Sequence, residues 1–335
     1  MKPGHRGENL VSHEKAQKAQ KTQVRWGRPD SGTGVPPVRF ESHRRDACAT
    51  TAAPINMVVK ATLLRTTLGR KPNSETDSLA VEEPLEIRVQ GRSVAVTMRT
   101  PGHDRELAAG FLLTEGIIRE RRDVVEILHC RAATAPDNTL NVFLSSSVKV
   151  DFAQLTRHVF ATSSCGLCGK ASIASVHQHF PPVKSNVRVA AKTLTRLPAI
   201  MRGAQRTFSQ TGGLHAAAVF DAKGKLFVLR EDVGRHNAVD KVLGFGLLKG
   251  KLPFDEHVLL VSGRASFEIL QKALAGRFPI VCAVSAPSSL AVDFARESGQ
   301  TLVGFLRGET MNVYAGAERI GRSAGSRRGA LVAAT

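Results

Sequence analysis

Past residue 82 the chain alternates between two hydrophobic periods. Leu85-Glu86-Ile87-Arg88-Val89 and Val94-Ala95-Val96-Thr97-Met98 place apolar side chains at every second position on either side of Gln90-Gly91-Arg92-Ser93, which predicts a β-hairpin. Thr100-Pro101-Gly102-His103-Asp104 breaks the second strand. Leu107, Ala108, Phe111 and Leu112 then form a helical stripe, with Asp104 placed to cap its first turn and His103 and Arg105 on the loop side. Residues 124–130 and 139–145 read as further strands. These elements make a small α+β domain over 75–150, with folding expected to begin near Glu82.

From Thr211 the alternation becomes regular. Strands are expected at 214–220, 226–229, 258–261, 280–285 and 302–306, and helices at 236–248, 266–275 and 288–298. Apolar strands and helices of this length, taken in turn, predict a layered α/β domain over 211–321 with a largely parallel sheet. Residues 151–210 read as a short helix over 151–160, a cysteine loop and a connecting segment with a helix near 194–201. Residues 1–56 and 322–335 carry no sustained period and read as disordered. The first of these is basic, with ten Lys and Arg against five Asp and Glu. It reads either as an arm for nucleic acid or as a translated stretch upstream of a start at Met57.

Composition narrows the class. A chain of 335 residues, 42% hydrophobic, can bury a large core, and no run of about 18 uninterrupted apolar residues suggests a membrane span. Five cysteines, an odd number in a long chain, argue against a disulfide framework and for free thiols in a reducing compartment, so a cytoplasmic protein without membrane association is expected. A formal charge of +18 implies attraction to polyanions: nucleic acid, a phosphate-rich small molecule or an acidic protein. One Trp, one Tyr and scattered bases give no stacking platform for single strands, which disfavours nucleic acid.

The candidate chemistry lies in two places. Ser163-Ser164-Cys165-Gly166-Leu167-Cys168-Gly169-Lys170 puts two thiols, two glycines and a lysine in one turn before an expected helix, and both the lysine and a helix start favour thiolate. The spacing fits half of a zinc site, a dithiol couple or a thiolate that carries a group, and does not choose among them. Cys130 and Cys282 fall inside strand patterns and read as core. The second place is a set of strand ends, where ligands bind in open α/β sheets. Gly213 and His215 sit at the head of one strand. Asp232, Arg235 and His236 join a strand to a helix, with Arg235 able to grip phosphate and Asp232 able either to accept from a guanine or pterin amino edge or simply to cap the helix. Ser262 and Arg264 follow a strand in a glycine turn that resembles an anion cradle, Ser285-Ala286-Pro287-Ser288-Ser289 is a fourth turn, and Phe305-Leu306-Arg307-Gly308-Glu309-Thr310 ends the last long strand. Together they describe an extended site for a large, multiply phosphorylated ligand.

CGLCGK, TGGLHAAA, EDVGRHNAVDK, VSGRAS and GFLRGETMNVY, in this order and with RTPGHDRELAAGFLLTEGII ahead of them, resemble the formate dehydrogenase accessory sulfurtransferase family (FdhD) over about residues 75–321. The resemblance implies a larger domain similar in fold to cytidine deaminases. It also implies a sulfurtransferase that takes persulfide sulfur from a cysteine desulfurase and passes it to the molybdenum of bis-molybdopterin guanine dinucleotide for formate dehydrogenase. Cys165 matches the family's persulfide cysteine, Cys168 its CxxC partner, and Phe305 to Thr310 its cofactor segment, with Arg307 the strongest match there. A homodimer with no resident metal is the expected form. A rival reading as a zinc deaminase lacks its glutamate, since Ala216 and Ala217 follow His215, and Ser164 stands where the proline before the CxxC would be. A basic nucleic-acid binder without catalysis is the remaining alternative.

Overall fold

The computed structural model describes residues 56–130, 133–152 and 179–321. The expected extension 1–56, the helix expected over 151–160, the Cys165–Cys168 loop and the tail beyond 321 lie, in whole or nearly so, outside the described residues.

Four strands form the first sheet: β3 (Glu83–Val89), β4 (Arg92–Arg99), β5 (Val124–His129) and β6 (Thr139–Leu144), in the order β4-β3-β6-β5. The predicted hairpin is β3–β4, with Gln90 and Gly91 both at positive φ in its turn. Its continuation is helix α1 (Asp104–Thr114), which buries Leu107, Ala108 and Leu112. Asp104 does not cap this helix. The N-cap is His103, in the left-handed region with no side-chain cap, and Asp104 instead receives two hydrogen bonds from the buried Arg99 guanidinium, at 3.2 and 3.0 Å. Folding also begins earlier than Glu82: β1 (Val58–Arg65) and β2 (Asn73–Ala80) pair antiparallel ahead of it. No residue of that hairpin is buried, so a hydrophobic period had little to mark.

The second sheet is six-stranded, in the order β13-β12-β11-β10-β8-β9. Its strands are β8 (His215–Asp221), β9 (Leu226–Asp232), β10 (His257–Val261), β11 (Ile280–Ala283), β12 (Thr301–Arg307) and β13 (Thr310–Ala315). It is mixed rather than largely parallel. Only β10–β11 and β11–β12 pair parallel, because β8–β9 and β12–β13 are hairpins and β8 runs against β10. Helices α4 (Arg235–Leu248), α5 (Phe267–Ala275) and α6 (Ser289–Glu297) join strands of this sheet. Helix α2 (Ala191–Ala204) joins a second core cluster with the opposite pleat of the sheet, placing Leu194, Leu197 and Met201 against Ala218, Phe220, Leu260 and Val303. The segment expected only to connect is thus a layer of the fold. Just before it, β7 (Val189–Ala190) pairs parallel with β14 (Ile320–Gly321), and after it comes the short helix α3 (Arg206–Thr211).

The two sheets share one core. Leu85, Ile87 and Leu140 of the first belong to the same buried cluster as Val242 and Leu243 of α4 and Val281 of β11. Helices α1 and α4 make the junction and touch backbone to backbone: a Cβ on Gly110 would stand 1.8 Å from the Asp240 carbonyl oxygen, and one on Gly244 would stand 1.8 Å from that of Glu106. Only glycine permits this approach. Gly110→Ala or Gly244→Ala should therefore force the helices apart and destabilise the protein by about 1–3 kcal/mol or more. Gly203→Ala, at a helical glycine with nothing within 4 Å, should be neutral or stabilising by up to about 1 kcal/mol. Denaturant unfolding of the three variants checks this, and equal stabilities would refute it.

Candidate functional site

The strand register gathers the polar motifs at one end of the six-stranded sheet. Val261 pairs with Ala217 and Ala283 lies beside it in the parallel ladder, so the carboxyl ends of β10, β11 and β12 stand with the start of β8, and His215 pairs with Asp232 at the end of β9. The turns after these strands are tied to one another. Ser262 donates its N–H to the Ala216 carbonyl and accepts the Ala216 N–H on its hydroxyl, each at 2.9 Å. Ala265 and Pro287 form an isolated parallel bridge between the turns after β10 and β11.

Gly263 brings the first group together: a Cβ there would lie 3.4 Å from His215 Nδ1 and 3.7 Å from Arg235 Cδ. Arg235 opens α4, and its Nε is buried without a hydrogen-bond partner among the described residues. His236 follows, with Nε2 3.3 Å from both Ser266 Oγ and Glu268 Oε2, while the Ser266 hydroxyl donates to Glu268 Oε2 at 3.0 Å. Burial holds the His215 imidazole below its ordinary pKa, and the neighbouring Arg235 and His236 add to this. The Glu268 carboxylate is held down to about 2, chiefly by its hydrogen bond with His236. Arg264 is exposed at the rim.

The second group sits at β12. Phe305 has φ of 50° and Gly308 of 53°, so the hairpin turns sharply, with Phe305 38% exposed. Arg307 donates from Nε to the Val284 carbonyl at 2.8 Å, its guanidinium carbon 5.9 Å from the Phe305 ring centre, and Thr310 donates to the Arg307 carbonyl. Gly308, Glu309 and Thr310 are exposed. Leu306 points the other way, fully buried against the second core cluster, so it packs rather than binds. In the sheet order β12 is three strands from β8, roughly 14 Å at about 4.8 Å per strand. That span fits a long ligand.

Asp232 is not available to a ligand. It is 0% exposed; Oδ1 accepts from Gly234 N and Asn237 Nδ2 at 2.8 and 3.0 Å, and Oδ2 accepts from Thr100 N at 3.2 Å and pairs with Lys241 Nζ at 2.7 Å. It acts neither as a guanine acceptor nor as the cap of α4, whose N-cap is Gly234 with no side-chain cap. Ser288 is likewise engaged, capping α6 by accepting from Ala291 N. Gly213 is exposed beside Ala80 of the β1–β2 hairpin. Glu268, Lys241, Asn237 and Thr100 all shape the site and were not legible as site residues. Glu268 had one signal, its place two residues after the helix-heading Ser266, and Lys241 had one, a base beside Asp240 with apolar residues on either side.

These features define a layered α/β protein with polar turns, arginine and histidine among them, gathered at one sheet end. The chain belongs to the FdhD/NarQ family, whose model matches residues 80–321. It is 53% identical over 259 residues to the sulfur carrier protein FdhD of Streptomyces coelicolor, covering 74% of this chain and 90% of that protein. It is 55% identical over 252 residues to the sulfur carrier protein FdhD of Mycolicibacterium paratuberculosis, covering 73% and 92%. A crystal structure described as a formate dehydrogenase accessory protein from Desulfotalea psychrophila matches with a TM-score of 0.64 and 26% identity, over 79% of this chain and all of that one. Nothing in these comparisons favours a deaminase or a nucleic-acid binder.

Two measurements test the site's electrostatics. Lys241→Met leaves the Asp232 carboxylate buried and uncompensated and should cost about 3–5 kcal/mol of stability. Glu268 has a depressed pKa, so its contribution is present above the ordinary carboxylate value of 4.5 and is lost as pH falls toward about 2. Over that window the wild type should lose more stability than Glu268→Gln, and parallel curves would show that the carboxylate is not coupled to folding.

Proposed function

We propose that this chain is a cytoplasmic sulfurtransferase that carries sulfur, as a persulfide on Cys165, from a cysteine desulfurase to the molybdenum cofactor used by formate dehydrogenase. The observation that carries the reading is the convergence of Arg235, His215, His236, Ser262, Arg264 and Arg307 on one sheet end, in a chain whose family members are named as sulfur carriers. A guanine dinucleotide cofactor is long and bears pyrophosphates, and the two groups of residues some 14 Å apart suit it: guanidinium groups grip phosphate oxygens, and the Phe305 face offers a surface for a ring. Here the molybdenum cofactor is substrate.

Loading is a balanced exchange. The Cys165 thiolate attacks the terminal sulfur of the donor's persulfide; one S–S bond forms on Cys165 as the donor's breaks, and the donor cysteine leaves as thiolate with no net oxidation. Lys170, close in sequence, favours the attacking thiolate. Cys168 is proposed as the second thiol of the pair. The working form is proposed to be a homodimer. The β1–β2 hairpin, with Val59, Leu64 and Leu79 exposed and no residue buried, is a surface that a second copy would cover.

Incubated with a cysteine desulfurase and cysteine, the wild type should gain the mass of one sulfur, removable by reductant, and Cys165→Ala should gain none. An adduct that persists in Cys165→Ala overturns the assignment. Arg235→Ala and Arg307→Ala should each weaken binding of GDP or the intact cofactor by about 1.5–3 kcal/mol, the cost of a lost charge-assisted contact. Unchanged calorimetric affinity in both would move the binding site off this sheet end.

A further inference from the structure

Between Asp151 and Asp221 the sequence contains no Asp or Glu, yet it holds eight Lys and Arg together with Cys165 and Cys168. Where the structure describes this run, its centre is α2. One side of that helix is buried on the sheet through Leu194, Leu197 and Met201, and the other is open. Lys192, Arg196 and Arg202 are exposed along it, and Arg206 continues the line at the head of α3. Among the described residues no ion pair engages any of the four. Glu231, which reaches the start of α3, is spent on the amides of Thr207 and Phe208, at 3.0 and 2.7 Å.

Beside these bases the helix exposes an apolar side chain and a bare glycine. Ile200 is 37% exposed, and Gly203 has nothing within 4 Å of where its Cβ would be. The Arg202 guanidinium is held 4.0 Å over the Phe208 ring, so it is positioned before any partner arrives and the ring face is covered. Arginines beside an exposed aliphatic side chain, one of them already positioned, are features of a protein interface. A nucleic-acid groove would need free aromatic faces or a longer basic track. The surface also leads to the site, because α3 runs directly into Gly213 and His215.

We propose that the open side of α2, with Arg206, is the docking surface for the sulfur-donating protein, which meets it with a carboxylate-rich face around an apolar patch. This deepens the sulfur-carrier reading and rests on it. Unpaired rim charges of one sign steer association and make it salt-sensitive.

The test uses the full chain with a cysteine desulfurase as one sulfur donor and glutathione persulfide as the other. Arg196→Glu with Arg206→Glu should weaken desulfurase binding about tenfold or more at low salt, and about 0.5 M salt should weaken the wild type similarly. The milder pair Lys192→Gln with Arg196→Gln should weaken it in the same direction. Uptake from glutathione persulfide should be unchanged in both variants. Desulfurase affinity equal to wild type in both overturns the surface alone, as does a loss of uptake from glutathione persulfide that matches the loss of binding. Wild-type protein that binds RNA or DNA through these residues more tightly than it binds the desulfurase overturns the choice of partner. No sulfur uptake by the wild type from either donor overturns the sulfur-carrier reading itself.

Discussion

The fold depends on a carboxylate and an ammonium kept from water. Asp232 and Lys241 are 0% and 1% exposed at 2.7 Å, and removing two such charges from solvent costs several kcal/mol for each unless every lone pair and proton finds a partner. Here they do. Thr100 alone contributes its N–H to Asp232, its carbonyl to Lys241 and its hydroxyl to the Val233 amide, and Asn237 bridges Asp232 to the Met98 carbonyl. The pair thereby fastens the end of β4, from one sheet, to the end of β9 and the first turns of α4, from the other. Arg235 and His236 sit inside that fastening, so their positions relative to the strand ends are set by it.

Helix α4 is enclosed along most of its length, and the second buried pair lies there. Lys272 of α5 donates to both oxygens of Asp240 at 2.9 and 2.8 Å and to Thr114 of α1 at 2.9 Å. Burial pushes the Asp240 carboxyl above its ordinary range even with the ammonium beside it. Neither pair is efficient as a source of stability, since apolar residues of the same volume would fill the space at lower desolvation cost. Each instead demands one arrangement of three elements, and the glycine contact between α1 and α4 has no room for another. A hub so constrained lets the turns at its N-terminal end carry exposed function.

Elements that bury one face were legible in the sequence. The hairpin at Gln90-Gly91, α1, and the strands and helices from β8 to β12 follow the apolar period to within a few residues, because burial on a sheet or helix imposes that period. The β1–β2 hairpin buries nothing and left no trace, and the antiparallel course of β8 against β10 was hidden because period does not encode strand direction. The strand-end motifs were placed correctly at one end, but their inner roles were not. A buried Asp232 and a binding Asp232 look alike in sequence, and only the donors arriving from Thr100, 132 positions away, separate them. Leu306 lies in the matched segment for a similar reason: alternate residues of an exposed strand end still face the core.

At this sheet end, charge and hydrogen bonding fall to different residues. The guanidinium groups of Arg235 and Arg307 supply charge and fixed N–H donors, whereas burial and then the neighbouring Arg235 and His236 favour the neutral form of His215. His215 can therefore donate or accept a hydrogen bond without adding a cation. His236 is turned by Glu268 and Ser266, which both meet it at Nε2. Arg235 differs: its Nε is buried and has no hydrogen-bond partner among the described residues, and a buried donor without an acceptor costs about 1–3 kcal/mol. An anion oxygen reaching that donor would remove the penalty, which is consistent with the phosphate-bearing ligand proposed for this sheet end.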